Sequence, residues 1–174
     1  MIKKLTLIAF IFFLNQCGYE KIYSQKNINF SIKEISIYDD IKIGRQIEKR
    51  LKFFSNNTSK KNFYQIFITS NRKKDISSKD KKGNAKTFSL TVSVLLVVDN
   101  NLGQKKEIVF TKSTIINNND NKFELKKHEN AKIINLTDLI IDDIIIYLQN
   151  FYNLNKKSAS LNGNLGLNLK TNDN

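Results

Sequence analysis

The sequence predicts one α+β domain with the element order strand, helix, strand, strand, strand, helix. Several segments alternate apolar and polar residues with the period of two that is typical of half-buried strands. Two other segments place apolar residues three and four apart, as on one face of a helix. The 174 residues, of which 40% are hydrophobic, suit a single domain with a substantial core.

The first strand and the first helix are predicted between residues 28 and 54. Alternation from Ile28 to Tyr38 slips by one residue near Lys33 and Glu34, which indicates a β-bulge. Asp39 and Asp40 follow as N-cap candidates for a helix. The apolar face of this helix is predicted to hold residues at spacings of four, four and three: Ile43, Ile47, Leu51 and Phe54.

Three more strands are predicted after this helix. The second strand covers Phe63 to Thr69, and the third, from Phe88 to Val98, alternates without a fault. Residues 99–103 have the composition of a hairpin connection, and they lead into a returning strand from Glu107 to Ile116.

A long helix is predicted after the polar turn at residues 117–121. About thirty residues at 1.5 Å each would reach roughly 45 Å, enough to cross a four-stranded sheet. From Asn153 the Asn, Gly, Lys and Ser content ends the periodicity, so residues 153–174 are predicted to be a flexible tail. The apolar stripe of the helix is predicted to contain Ile133, Leu136, Ile140, Ile144, Tyr147, Leu148 and Phe151.

Residues 1–16 are predicted to be an export signal. Two lysines precede the apolar segment from Leu5 to Leu14, which is too short to cross a hydrocarbon core of about 30 Å. The segment from Leu14 to Cys17 resembles a bacterial lipobox, in which the Cys becomes the acylated first residue. The alternative is an ordinary secretory signal followed by an incidental thiol. The position of the only Cys of the chain favours lipidation.

Acylation of Cys17, with palmitate for example, would hold the protein stably on a membrane when two or more chains are attached. Gly18 follows the Cys, where Asp would retain a bacterial lipoprotein in the inner membrane. By analogy with these sorting rules, we expect the outer membrane.

The chain is strongly basic, with 29 Lys and Arg against 16 Asp and Glu and a net charge of +13. Removal of residues 1–16 takes away two lysines and leaves +11 on the mature domain. In a cytoplasmic protein this charge would point to nucleic acid. Export argues against nucleic acid, and the polyanion expected instead is lipopolysaccharide with its phosphates and acidic sugars.

A Lys-rich segment between the second and third strands is the candidate contact for that ligand. Residues 72–86 are predicted to be a loop with almost nothing apolar and only two acids. It is either a patch that faces an anionic ligand or a solvated connection. Lysines near an anionic membrane surface contribute about 1 kcal/mol each. The candidate lipopolysaccharide-contacting residues are Arg72, Lys73, Lys74, Lys79, Lys81, Lys82 and Lys86.

We expect no enzyme activity, no metal and no cofactor. His128 is the only His and is predicted to lie at the surface, and Cys17 lies outside the domain. Neither a zinc cluster nor a Cys–His pair is therefore available. Asp138 and Asp142 are one helical turn apart, but such a pair on a Lys-rich protein is more often a solvated face.

The element order, together with the stretch Cys17-Gly18-Tyr19 and Tyr23 close behind it, resembles the LPS-assembly lipoprotein family LptE. Members of that family commonly begin the mature chain with Cys, Gly and an aromatic residue, followed by a Tyr. The likeness covers residues 17–152. We therefore expect a signal peptide at residues 1–16, an LptE-like domain at 17–152 and a tail at 153–174.

The resemblance implies a four-stranded mixed sheet with two helices packed on it. It also implies a lipid-anchored protein on the periplasmic side of the outer membrane. Such a protein partners the β-barrel LptD and binds lipopolysaccharide during its assembly into that membrane. The alternative is a structural or assembly lipoprotein of another envelope machine, without lipopolysaccharide binding.

Overall fold

Both helices of the computed structural model pack on one face of a four-stranded sheet. The structure describes residues 31–54, 63–100 and 103–168. Strand order follows chain order, with β1 parallel to β2 and the other two pairs antiparallel. This confirms the predicted α+β class, the element order and the mixed sheet. The elements are β1 (Ser31–Asp39), α1 (Ile41–Leu51) with a 3₁₀ turn (Lys52–Phe54), β2 (Phe63–Lys79), β3 (Ala85–Asn100), β4 (Lys105–Asn117) and α2 (Lys122–Asn168).

The junction of β1 and α1 follows the sequence prediction. The β1–β2 register shifts between Ile32 and Glu34, where the alternation slips. The Asp40 carboxylate caps α1 by accepting hydrogen bonds from the backbone N–H groups of the second and third residues of the helix. The side chain of Phe54 lies outside those described. The other three members of the predicted stripe are buried: Ile43, Ile47 and Leu51.

The core lies between the helices and the helix-facing residues of the sheet. The even-numbered residues of β3 from Leu90 to Val98 are all buried, opposite the buried Ile66 and Ile68 of β2. Tyr147 is half-buried and stacks on Phe151 at 6.0 Å between ring centroids. The stripe predicted for α2 is confirmed, because its other members are buried: Ile133, Leu136, Ile140, Ile144, Leu148 and Phe151.

β2 continues ten residues beyond its predicted end at Thr69, and this corrects the prediction of a loop at residues 72–86. The added residues pair with β3 down to Lys79 opposite Ala85, so the segment is a β-hairpin. Every residue from 71 to 84 is exposed. Pairing with β3, not one-sided burial, holds this part of the strand, and the alternating pattern is therefore absent from its sequence.

α2 is also longer than predicted. Its backbone is helical to Asn168, sixteen residues beyond the expected domain end at residue 152. Apolar periodicity reports packing against a neighbour, whereas helical hydrogen bonds need no neighbour, so the two end at different places. The prediction of flexibility for residues 153–174 stays a prediction. No helix in the described ranges is long and apolar enough to cross a membrane.

The face of the sheet opposite the helices is covered by no described element. Near the end of β3, this face carries half-buried apolar residues of two paired strands: Phe67 in β2, and Leu95 and Val97 in β3. Further along, the Ser93 and Thr111 hydroxyls lie 3.1 Å apart on neighbouring strands. On β4 this face carries Val109 and Ile115, which are more than half exposed.

Candidate functional site: the basic hairpin

The basic hairpin, residues 72–86, consists of the end of β2, a tight turn and the start of β3. It contains the seven candidate residues and only two carboxylates, those of Asp75 and Asp80. The cations that the sequence analysis selected therefore all lie on one hairpin. The structure adds that the segment is an antiparallel ladder with β3, whose register shifts between Ile76 and Lys79, close to the turn.

Asp80 organises the turn at the tip. Its carboxylate accepts hydrogen bonds from the backbone N–H groups of Lys82 and Asn84, both at 2.8 Å. Gly83 adopts φ +85°, a left-handed conformation that glycine reaches without strain. The backbone hydrogen bond from Asn84 holds the pKa of Asp80 below its ordinary value. Asp80 therefore remains ionised at neutral pH and keeps the turn in shape.

Two candidate residues of the hairpin point to the helix side and are neutralised there. Arg72 Nε lies 3.0 Å from Oδ2 of Asp40, the N-cap of α1. Lys74 Nζ lies 2.8 Å from Oε2 of Glu129 in α2, and 4.4 Å from the ring centroid of Phe88. Arg72 and Lys74 therefore tie the hairpin to the two helices.

Glu129 is the buried partner in this arrangement, with only 8% of the residue exposed. It also accepts a hydrogen bond from Lys126 at 3.1 Å. Burial raises the pKa of Glu129, but the hydrogen bonds and charges of Lys74 and Lys126 lower it by more, so it lies below its ordinary value. Glu129 is therefore a carboxylate at neutral pH and compensates the charge of Lys74.

Lys73 points to the opposite face of the sheet. Its Nζ lies 2.9 Å from Oδ2 of Asp75, and both side chains are more than half exposed. A surface ion pair of this kind contributes only about 0–1 kcal/mol. Lys73 is therefore only weakly bound to its partner.

The four remaining candidates have no carboxylate oxygen within 4.0 Å of Nζ among the residues that the structure describes. They lie on either side of the turn and within it, and all four are exposed. The structure therefore brings together four of the seven predicted residues as uncompensated cations. We call them the tip lysines: Lys79, Lys81, Lys82 and Lys86.

The other polar candidates lie apart from the hairpin and do not form a site. Asp138 accepts a hydrogen bond from Gln46 Nε2 at 3.0 Å, which links α2 to α1, and Asp142 is half-buried. His128 is exposed. Within the described ranges, no three residues of the types His, Cys, Asp and Glu are placed to hold a metal ion. Cys17 lies outside those ranges.

Sequence reasoning did not separate the tip lysines from Arg72 and Lys74. One signal pointed to the buried carboxylate: Glu129 stands four residues after Leu125 and four before Ile133, both of which are buried on α2. A carboxylate in a buried stripe requires a cation nearby. No local pattern identifies that cation as Lys74, which is 55 residues away in sequence.

The fold is similar to those of two solved lipoproteins. Rare lipoprotein B from Shewanella oneidensis matches with a TM-score of 0.50 at 12% identity, over 76% of this chain and 98% of that one. An uncharacterised lipoprotein B from Nitrosomonas europaea matches with a TM-score of 0.53 at 18% identity, over 77% and 92%. At these identities the likeness shows a shared fold. No protein-family model and no curated protein sequence matches the chain.

Proposed function

We propose that this chain is an outer-membrane lipoprotein, anchored on the periplasmic side through acylated Cys17, that binds lipopolysaccharide through the tip lysines. It partners the LptD β-barrel while lipopolysaccharide is assembled into the membrane, and it catalyses no reaction. The observation that carries the proposal is the set of four uncompensated lysines on a well-ordered turn. The two lipoproteins of similar fold and the lipobox-like segment support the anchor.

The chemistry of the tip fits an anionic lipid head group. Lysine ammonium groups bind phosphate as point charges and contribute about 1 kcal/mol each near an anionic surface. Because the β-ladder and the Asp80 turn fix the backbone, little further ordering of the hairpin is needed when the ligand binds.

The binding test replaces Lys79, Lys81, Lys82 and Lys86 together by Gln and measures the affinity for purified lipopolysaccharide. We expect at least tenfold weaker binding at low salt. Each lysine contributes about 1 kcal/mol, and the sum over the four lysines stays large enough for this loss even when salt screens part of it. The difference between this variant and the parent chain should shrink with salt. The reason is that the Debye length falls from about 10 Å at 0.1 M to about 3 Å at 1 M.

A matched control removes the same net charge elsewhere. Lys42, Lys49, Lys106 and Lys127 are exposed and, among the described residues, have no carboxylate within 4.0 Å. Their joint replacement by Gln should change affinity much less than the tip replacement. Equal losses in the two variants would show that only net charge matters and would contradict a site at the tip.

The anchor and the partner are tested on protein extracted from membranes. Mass spectrometry should find Cys17 as an acylated N-terminus; an intact Met1 or a free Cys17 thiol would contradict the anchor. A pull-down from solubilised outer membranes should recover an LptD-like β-barrel as the dominant partner. Recovery of a different envelope assembly, with no lipopolysaccharide bound, would favour the alternative of a structural lipoprotein.

A further inference from the structure

β4 is the edge strand of the sheet, and within the described ranges no other strand pairs with its outer side. The Asn118 N–H donates to the Lys86 carbonyl at 2.9 Å, in the same register that joins β3 to β4. In an antiparallel ladder this makes the even-numbered residues of β4 the hydrogen-bonded partners of β3. The odd-numbered residues therefore direct N–H and C=O groups outward, along an edge of 13 residues.

Exposed apolar side chains flank this edge on both faces of the sheet. On the open face, Val109 and Ile115 are 62% and 61% exposed. On the helix face, Lys112 Nζ lies 2.7 Å from Oδ2 of Asp143, which places that side of α2 next to the edge. Leu139 and Ile146, about one helical turn before and after Asp143, are about half exposed.

We propose that β4 pairs antiparallel with β4 of a second copy of this chain, around a two-fold axis at Lys112. This register places Val109 opposite Ile115 of the second copy, and Ile115 opposite Val109. It also places Thr111 opposite Ser113, and all of these pairs use the outward backbone groups as hydrogen-bonded pairs. Moving the axis by one residue to Thr111 would set Val109 opposite Ser113 and Ile115 opposite Glu107, so the apolar match is specific to the Lys112 axis.

The same axis also brings the α2 helices of the two copies side by side. α2 packs over β3 and β4, and strands lie about 4.8 Å apart, so the two α2 helices would be about 10 Å apart. This separation is within the range at which helices pack directly. Because Asp143 lies beside the axis, Leu139 faces Ile146 of the second copy. One axis therefore buries the exposed apolar residues on both faces, which argues for a second copy over an unrelated strand.

The charges at the axis are compatible with this pairing. The two copies of Lys112 face each other, but each is already bound to its own Asp143 at 2.7 Å. The four groups therefore alternate in sign around the axis. The dimer goes beyond the proposed function, and it leaves the tip lysines exposed at the far ends of the hairpins.

Disulfide trapping tests the register. In the full chain with Cys17→Ser, a Lys112→Cys variant should form a disulfide-linked dimer on mild oxidation. Residues 112 would face each other with Cα atoms about 5 Å apart, a distance that a disulfide spans. Val109→Cys should not link to itself, because its two copies would be about 20 Å apart along the strands. An equimolar mixture of Val109→Cys and Ile115→Cys chains should link.

Sedimentation equilibrium tests the association itself. The Cys17→Ser chain should dimerise, and a Val109→Lys/Ile115→Lys variant should associate at least tenfold more weakly. A control variant, Tyr38→Lys/Ile41→Lys, adds the same charge at exposed hydrophobic residues at the opposite edge of the sheet, in β1 and at the start of α1, and should dimerise as before. Three results would overturn the proposal: a chain that stays monomeric, a dimer indifferent to Val109 and Ile115, or equal self-linking of Val109→Cys and Lys112→Cys.

Discussion

Lys74 Nζ lies 2.8 Å from Oε2 of Glu129, so this ion pair joins the basic hairpin to α2. The Glu129 side chain is only 10% exposed, whereas that of Lys74 is 33% exposed. A carboxylate so far removed from water is stabilised by its cations, and Lys126 supplies the second one at 3.1 Å. We conclude that Lys74 acts as part of the scaffold and is not available to a ligand in the way the tip lysines are.

Glu129→Gln should lower the free energy of unfolding by about 1–2 kcal/mol, because it removes the charge from two charge-assisted hydrogen bonds. Urea unfolding at neutral pH measures the change. Glu107→Gln is the matched control, since its ion pair with Lys105 is 3.8 Å long and about 60% exposed. It should change stability by less than about 0.5 kcal/mol. Equal effects of the two substitutions would contradict a scaffold role for the Lys74–Glu129 pair.

The contribution of Glu129 should depend on pH with a definite sign. Its pKa in the folded protein lies below the ordinary value of 4.5, so protons bind the unfolded chain more readily. The stabilisation is therefore complete above pH 4.5 and is lost as the pH falls below 4.5 and through the lowered pKa. The stability difference between the parent chain and Glu129→Gln should be constant near neutral pH and shrink as the pH is lowered below 4.5. A difference that grows on acidification would refute this assignment.

Asp40 has two separable roles, which two substitutions distinguish. One carboxylate oxygen caps α1 through the backbone N–H of Lys42 at 3.1 Å, and the other meets Arg72 at 3.0 Å. Asp40→Ala should cost about 1–2 kcal/mol of unfolding free energy, the usual range for a lost N-cap. Asp40→Asn keeps a capping oxygen and should cost less than half as much. Equal losses, measured by thermal or urea unfolding, would show that the Arg72 pair outweighs the cap.

The parts of the fold that the sequence predicted are those where a helix covers one side of a strand. The alternation of β3 from Phe88 to Val98 is faultless because α2 packs on this strand and its even-numbered residues from Leu90 to Val98 are buried. The cap at Asp40 and the shift after Ile32 were likewise readable, since each is set by neighbouring residues. The second half of β2 was missed because solvent meets both of its faces there and imposes no pattern on its sequence.

The sequence predicted where the positive charge of the candidate site lies, but not which of its cations are bound to carboxylates. The sequence shows seven cations in 15 residues. Arg72 and Lys74 differ from the tip lysines because they contact carboxylates, and these contacts form only on folding. Their partners, Asp40 and Glu129, are distant in sequence, so no local pattern pairs them. The alternating directions of side chains along β2 decide which cations meet the helices.

Gly44 lets α1 approach β1 closely at Ile37. A Cβ at this position would overlap Cγ2 of Ile37 in β1. That methyl group is attached directly to the branched Cβ of Ile37, so it cannot swing away without a shift of the strand. Replacing Gly by Ala in an exposed helix usually gains about 1 kcal/mol, but overpacking typically costs about 1–3 kcal/mol. We therefore expect Gly44→Ala to destabilise the protein by about 1–2 kcal/mol.

A double-mutant cycle separates the overlap from any general effect on the helix. Ile37→Ala alone should be destabilising, because it leaves a gap between α1 and β1. In combination with Gly44→Ala, the added methyl group fills part of that gap, so the double variant should lose less stability than the sum of the two single losses. Urea unfolding of the four chains measures the coupling. Two results would contradict a close contact between Gly44 and Ile37. One is that Gly44→Ala stabilises the protein, as at an ordinary helix position, and the other is that the losses of the two single variants are simply additive.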